Sequence, residues 1–131
     1  MKKLTLVLAL IALATLPAFA GPKAPAKAAA PKISEAAHKE AAEIFTQRCV
    51  ACHGATGLGD GVAAAAMNPK PRNYGDPAWQ KSVTDDYIEK VIREGGQAVG
   101  KSPLMPPNPD LVSKPEVVAA LREKVRSFAK K

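Results

Sequence analysis

The chain has 131 residues and a formal net charge of +7, with 19 Lys and Arg against 12 Asp and Glu. That length supports one small basic domain and excludes a multidomain organisation. Apolar residues make up 47%, yet 25 residues are alanine and there are only one Trp, two Tyr and three Phe. Large rings carry much of the burial in a domain this small, so the composition points to an interior completed by something other than protein.

Lys2 and Lys3, the apolar run over residues 4–16 and the triplet Ala18-Phe19-Ala20 form an export signal, expected to be cleaved after Ala20. The 13-residue apolar run is short against the roughly 17–25 residues that span a bilayer, so no stable membrane insertion is expected. Cysteine does not follow the cleavage site, and no lipid anchor is indicated. Losing Lys2 and Lys3 lowers the formal charge from +7 to +5 and leaves the exported chain basic. Residues 21–32 contain only Gly, Pro, Ala and Lys, with prolines at 22, 25 and 31 that interrupt any alanine helix. They are expected to form a flexible tail ahead of a single domain over residues 33–131.

Ser34 is placed to cap a helix in which Ala37, Ala41, Ile44, Phe45 and Arg48 recur every three or four residues and which runs straight into Cys49. The glycines of residues 54–61 predict tight turns, the alanines up to Met67 a helical turn or two, and residues 68–79, with three prolines and a glycine, a loop. Thr84 then caps a second helix, with Asp85 and Asp86 in its first turn, Tyr87, Ile88, Val91 and Ile92 on one stripe and Gly95 as its stop. Residues 100–109 hold four prolines and predict an extended segment poor in hydrogen bonds. Ser113 and Glu116 read as a capping box around Pro115, followed by a closing helix with Val118, Leu121, Val125 and Phe128 on its buried stripe. No alternating pattern predicts a strand. The expected fold class is all-α: three to four short helices joined by long loops, which are stable only when packed on something.

Cys49-Val50-Ala51-Cys52-His53 names that something. In CxxCH, two thiols are spaced to add to the two vinyl groups of one haem while the adjacent imidazole reaches its iron. One covalently attached haem c is therefore the expected cofactor. A thioredoxin-like pair would open a helix after a strand, whereas this pair closes a helix. A zinc site needs four ligands, and the chain adds only the remote His38 to this motif. A plain disulfide between Cys49 and Cys52 would leave the thin core unexplained.

A second axial ligand has to come from Met67, Met105 or His38. Met105 is favoured, because the prolines at 103, 106 and 107 fix the backbone around its thioether. Met67 suits packing against the ring or core, and His38 a surface position. Trp79, Tyr74 and Arg72 are candidates to hold haem propionates, since a buried carboxylate requires donors or a cation. A carbonyl of the proline-bearing loop is expected to orient His53 through its other ring nitrogen.

Taken in order, the capped helix, CVACHG, the proline-bearing loop, the helix ending in IREGG, the MPP segment and the closing helix resemble a class I c-type cytochrome over nearly the whole domain. The resemblance implies a cytochrome c-like fold, thioethers at Cys49 and Cys52, and iron ligation by His53 and Met105. It also implies that the first and last helices cross beside the haem, with Ala41 and Phe45 against Leu121 and Val125. One departure is Lys124, which stands where members of the family often carry an aromatic residue.

With both axial positions filled, an iron has no open site for substrate, so the expected function is a soluble periplasmic one-electron carrier with a positive midpoint potential, not an enzyme. Its basic charge favours redox partners with acidic docking surfaces, and a monomer is expected. Arg122, Lys124, Arg126, Lys130 and Lys131 form a modest basic cluster read as a solvated helix face. With scattered cations, scarce aromatics and an export signal, nucleic acid is not an expected partner. The alternatives are a haem c subunit of a periplasmic oxidoreductase complex, an enzyme or gas sensor in which Met105 is labile, and a haem-free helical module.

Overall fold

The structure, a computed structural model, describes residues 32–129. The proposed export signal over 1–20 and the tail up to residue 31 lie outside the described residues. A continuous helical rod opens the domain: α1 (Glu35–Ile44), a π-helical turn (Phe45–Cys49) and α2 (Val50–His53). Ser34 caps it as expected, its side chain accepting from the Ala37 N–H, and Ala37, Ala41, Ile44 and Phe45 are buried along one face. The rod is not a uniform α-helix, however. The wider π turn lies immediately ahead of the CxxCH segment and delivers its first cysteine.

A 3₁₀ turn (Val62–Ala66) follows, and then α3 (Pro77–Ser82). The expected loop over residues 68–79 therefore ends early. Pro77 occupies the first helical position, where its missing N–H costs nothing, and Asp76 caps the helix by accepting from Ala78 and Trp79. Helix α4 (Asp85–Glu94) has the predicted Thr84 cap and Gly95 stop. Two more 3₁₀ turns (Gln97–Val99 and Pro109–Leu111) flank the MPP segment, and α5 (Pro115–Ser127) closes the domain.

The expected Ser113–Glu116 capping box does not form. Pro115 takes the first helical position, which makes Lys114 the cap residue and moves Glu116 out of register for the box. Glu116 instead accepts from the backbone N–H and hydroxyl of Ser34, 3.2 and 2.8 Å away, joining the starts of α1 and α5. Helix α5 packs against both α1 and α4. Leu121, Val125, Ala41 and Phe45 belong to one core cluster, as the resemblance implied, with Val118 and Leu111 fully enclosed. There is no strand among the described residues.

Two residues of the closing basic cluster, Arg122 and Arg126, do not lie on a solvated face. Arg122 bonds Glu89 and Asp85, and Arg126 reaches Asp85 and the carbonyls of Gln80 and Val83, which ties α5 to α3 and α4. Lys124 lies over the Phe45 and Phe128 rings at 5.7 and 4.9 Å. A cation thus covers the helix crossing at the position where members of the resembled family often carry an aromatic residue. Lys130 and Lys131 lie outside the described residues.

Candidate functional site

The long loops and α4 surround a cavity of about 1000 Å³. Cys49, Cys52, His53, Met105, Trp79, Tyr74 and Arg72 all line it, so residues spread over half the sequence meet at one place. Met67 lines it too. His38 does not: it sits half exposed on α1, 3.8 Å from Glu123. The α4 stripe explains itself here, since Tyr87, Val91 and Ile92 are only half buried by protein and face this cavity.

His53 is buried at the end of the rod. Its Nδ1 lies 3.1 Å from the Arg72 carbonyl oxygen and its Nε2 3.0 Å from the Tyr74 hydroxyl. A carbonyl can only accept, so Nδ1 carries the proton and the Nε2 lone pair receives the hydroxyl. Burial lowers the His53 pKa against the smaller opposing effect of the Arg72 hydrogen bond, which keeps the ring neutral at pH 7. A neutral imidazole anchored through Nδ1–H is the form that offers Nε2 to a metal.

The Tyr74 ring stacks on the imidazole with centroids 4.5 Å apart and 13° between planes. Trp79 lies 5.5 Å and Phe128 6.1 Å from Tyr74, and Phe128 lies 5.5 Å from Phe45. Four aromatic residues, Phe45, Phe128, Tyr74 and Trp79, thus form one file from the α1–α5 crossing to His53. Burial pushes the Tyr74 hydroxyl well above its ordinary pKa, so it remains a donor.

Cys49 and Cys52 are half-buried free thiols one helical turn apart. Burial pushes Cys49 up to about 11 despite the neighbouring Arg48 charge, so it is a neutral thiol at pH 7. Met105 comes from a segment laid directly on Gly95 and Gly96. The Gly96 N–H donates to the Met105 carbonyl at 3.0 Å, and a Cβ on Gly95 would come within 2.8 Å of the same oxygen. Gly95 also has φ +78, so only glycine fits there without strain.

The Arg72 guanidinium lies 3.6 Å from Asp76 and 5.8 Å from the Trp79 ring centroid, which places this pair together on the cavity wall. The carbonyl that holds His53 was legible only as belonging to the proline-bearing loop. A backbone acceptor leaves no mark on residue identity. Gln80 was missed altogether, because it falls between the loop read over residues 68–79 and the Thr84 cap: it is buried, donates to the Tyr74 and Val125 carbonyls and accepts from Arg126.

Residues 36–122 match the model of the family described as cytochrome c oxidase, cbb3-type, subunit III. The chain belongs to this cytochrome c family. Among solved structures, the KustC0563 c-type cytochrome is 32% identical, covers 67% of this chain and is itself covered over 95% of its length, with a TM-score of 0.49. No curated protein matches. The cytochrome is a class I c-type cytochrome with an all-α fold. Its family implies haem-based electron transfer to redox partners, and the cavity fits a haem on its own chemistry. Two thiols and a neutral imidazole with Nε2 directed at a donor sit on one wall, a thioether is available, and the remaining lining is largely aliphatic and aromatic.

Proposed function

We propose that this cytochrome is an exported one-electron carrier in which a single haem c is attached through Cys49 and Cys52 and ligated by His53 and Met105. The observation that carries the reading is that these four side chains line one cavity, with His53 held in the metal-binding tautomer by the Arg72 carbonyl. A bound haem supplies a one-electron Fe(II)/Fe(III) couple. His53 contributes Nε2 and gives up its contact with Tyr74 to do so. Met105 contributes a soft sulfur that favours the reduced metal, and the apolar walls disfavour added positive charge, so the midpoint potential is positive. Tyr74, Trp79 and Arg72 hold the propionates, the first two through O–H and N–H donors and the third through its charge.

Residues 1–20 serve as the signal for export to the periplasm and residues 21–32 as a tail before the domain. Among the described residues no helix is long and apolar enough to cross a membrane. Lys70, Arg72 and Lys101 line the cavity and are exposed, which favours redox partners with acidic docking surfaces. The family description favours a second reading, in which the cytochrome relays electrons inside a larger oxidoreductase complex. Size exclusion of the native protein separates the two, since only the free carrier elutes as a monomer.

The deciding experiment is spectroscopic. A pyridine haemochrome of the thioether type and a ferric sulfur-to-iron charge-transfer band are expected. Met105→Ala should abolish that band, lower the midpoint potential by on the order of 0.1 V or more, and admit carbon monoxide rapidly to the reduced protein. An unchanged band in that variant moves ligation to Met67.

A further inference from the structure

The segment carrying Met105 has little hydrogen bonding of its own, because prolines at 103, 106 and 107 remove three donors. One end is held by Gly96, which accepts from the Lys101 N–H at 2.8 Å, and Gly96 also donates to the Met105 carbonyl itself at 3.0 Å. At the other end stands Asn108. Its backbone N–H donates to the Arg93 carbonyl and its side-chain amide to the Ile92 carbonyl, each at 2.8 Å. Those carbonyls lie in the last turn of α4, where a helix leaves its own acceptors without partners. Asn108 therefore docks the segment on the end of α4.

The remaining side-chain polar atom of Asn108 points elsewhere. Its Oδ1 accepts from Nη1 of Arg48 at 3.2 Å, and the same nitrogen lies 3.0 Å from Asp110 Oδ1. Arg48 is the residue before Cys49 and belongs to the π turn. Both Arg48 and Asn108 line the cavity. One guanidinium thus joins the turn that bears the first cysteine to the far end of the segment that bears Met105.

We propose that Arg48 is a positioning residue that latches the Met105 segment to the cysteine-bearing turn and so governs how readily Met105 leaves the iron. This rests on the reading that Met105 is the second axial ligand. The Arg48 and Asp110 side chains are about half exposed, at 42% and 47%, so the latch adds little to global stability. Ligand exchange is a different matter. Displacing Met105 requires only that one short segment lift, and the latch is one of few ties resisting that motion.

The test uses the oxidised holoprotein with imidazole as the probe for an open axial position. Arg48→Gln and Asp110→Asn should each speed imidazole binding about two- to fivefold, the span that loss of a half-exposed ion pair supports. Arg48→Lys should bring the rate back most of the way, and high salt should speed the parent protein towards the Arg48→Gln rate. Haem content and thermal midpoint should stay unchanged, which a purely structural role would not predict. A parent charge-transfer band with equal imidazole rates in all variants overturns the latch and leaves Met105 ligation standing. A parent protein without that band overturns both. If Arg48→Gln does not mature because it adjoins Cys49, Asp110→Asn decides the question alone.

Discussion

The two sides of α5 and α4 are built differently. Where α5 meets the opening rod, apolar side chains interlock, Leu121 and Val125 with Ala41 and Phe45, and the helix starts are tied by Glu116 to Ser34 and by Lys114 to Glu40. Where α4 faces the cavity, Tyr87, Val91 and Ile92 are half buried and the opposing walls come from proline- and glycine-bearing segments. Among the described residues no buried side-chain polar atom lacks a partner, so the polar groups are satisfied on both sides. The contrast is in apolar burial. One side closes by protein packing alone, while the burial of the other depends on what the cavity holds. In the function proposed above, stability and electron transfer meet on the group that fills the cavity rather than on separate parts of the chain.

The largest expected effect breaks that dependence. Replacing both Cys49 and Cys52 by serine should abolish covalent haem, read as complete extraction of the pigment into acidified organic solvent. The cavity side should then lose its order, seen as a fall in helical circular dichroism. Retention of colour after extraction would sink the attachment proposal. A large but smaller effect is expected on the packed side. Leu111 is fully buried in the 3₁₀ turn that returns the chain from the Met105 segment to the core. Leu111→Ala should cost about 2–5 kcal/mol in denaturant unfolding while the haem spectrum persists.

These two regions were unequally legible in the sequence. The packed side follows periodicity: Ala37, Ala41, Ile44 and Phe45, and then Val118, Leu121 and Val125, are apolar at helical spacing and are buried. The Thr84 and Ser34 caps act where a side-chain oxygen precedes a periodic run. Cavity residues were legible where chemistry restricts the residue type, as for the CxxCH thiols and imidazole. What escaped was set by backbone or by distance along the chain. The Arg72 carbonyl is a peptide group like any other. Pro77 reads as a loop breaker although it starts a helix, and Glu116 reads as a local cap although its partner is 82 residues away. Single-sequence patterns carry local register, and they carry no information about which distant group a polar side chain will meet.

Lys124 offers a finer probe of the packed side. Its ammonium lies 4.9 Å from the Phe128 centroid and 5.7 Å from that of Phe45, at the outer edge of the helix crossing. Lys124→Ala should cost about 0.5–2 kcal/mol in thermal or denaturant unfolding, because it removes both the cation and the methylene stem that covers the rings. Lys124→Phe tests whether an aromatic side chain serves the same purpose. Equal or greater stability in that variant would assign the role to coverage of the crossing rather than to charge.

The smallest expected effect tests the ties that hold α4 to α5. Partial burial works to raise the Asp85 carboxyl, but the hydrogen bond from Arg126 and the charges of Arg122 and Arg126 outweigh it and leave the group below its ordinary range. The folded protein therefore holds this proton less tightly than the unfolded chain does. The resulting stabilisation is complete above the unfolded carboxylate pKa and is lost as pH falls through the depressed folded value. Asp85 is about half exposed, so the contribution is below ~1 kcal/mol. Asp85→Asn should lower the thermal midpoint slightly at pH 7, and the gap to the parent protein should close on acidification below the carboxylate range. A gap that stayed constant down to strongly acidic pH would mean that Arg122 holds α4 through Glu89 while Arg126 holds the end of α3 through the Gln80 and Val83 carbonyls, with the Asp85 charge contributing nothing.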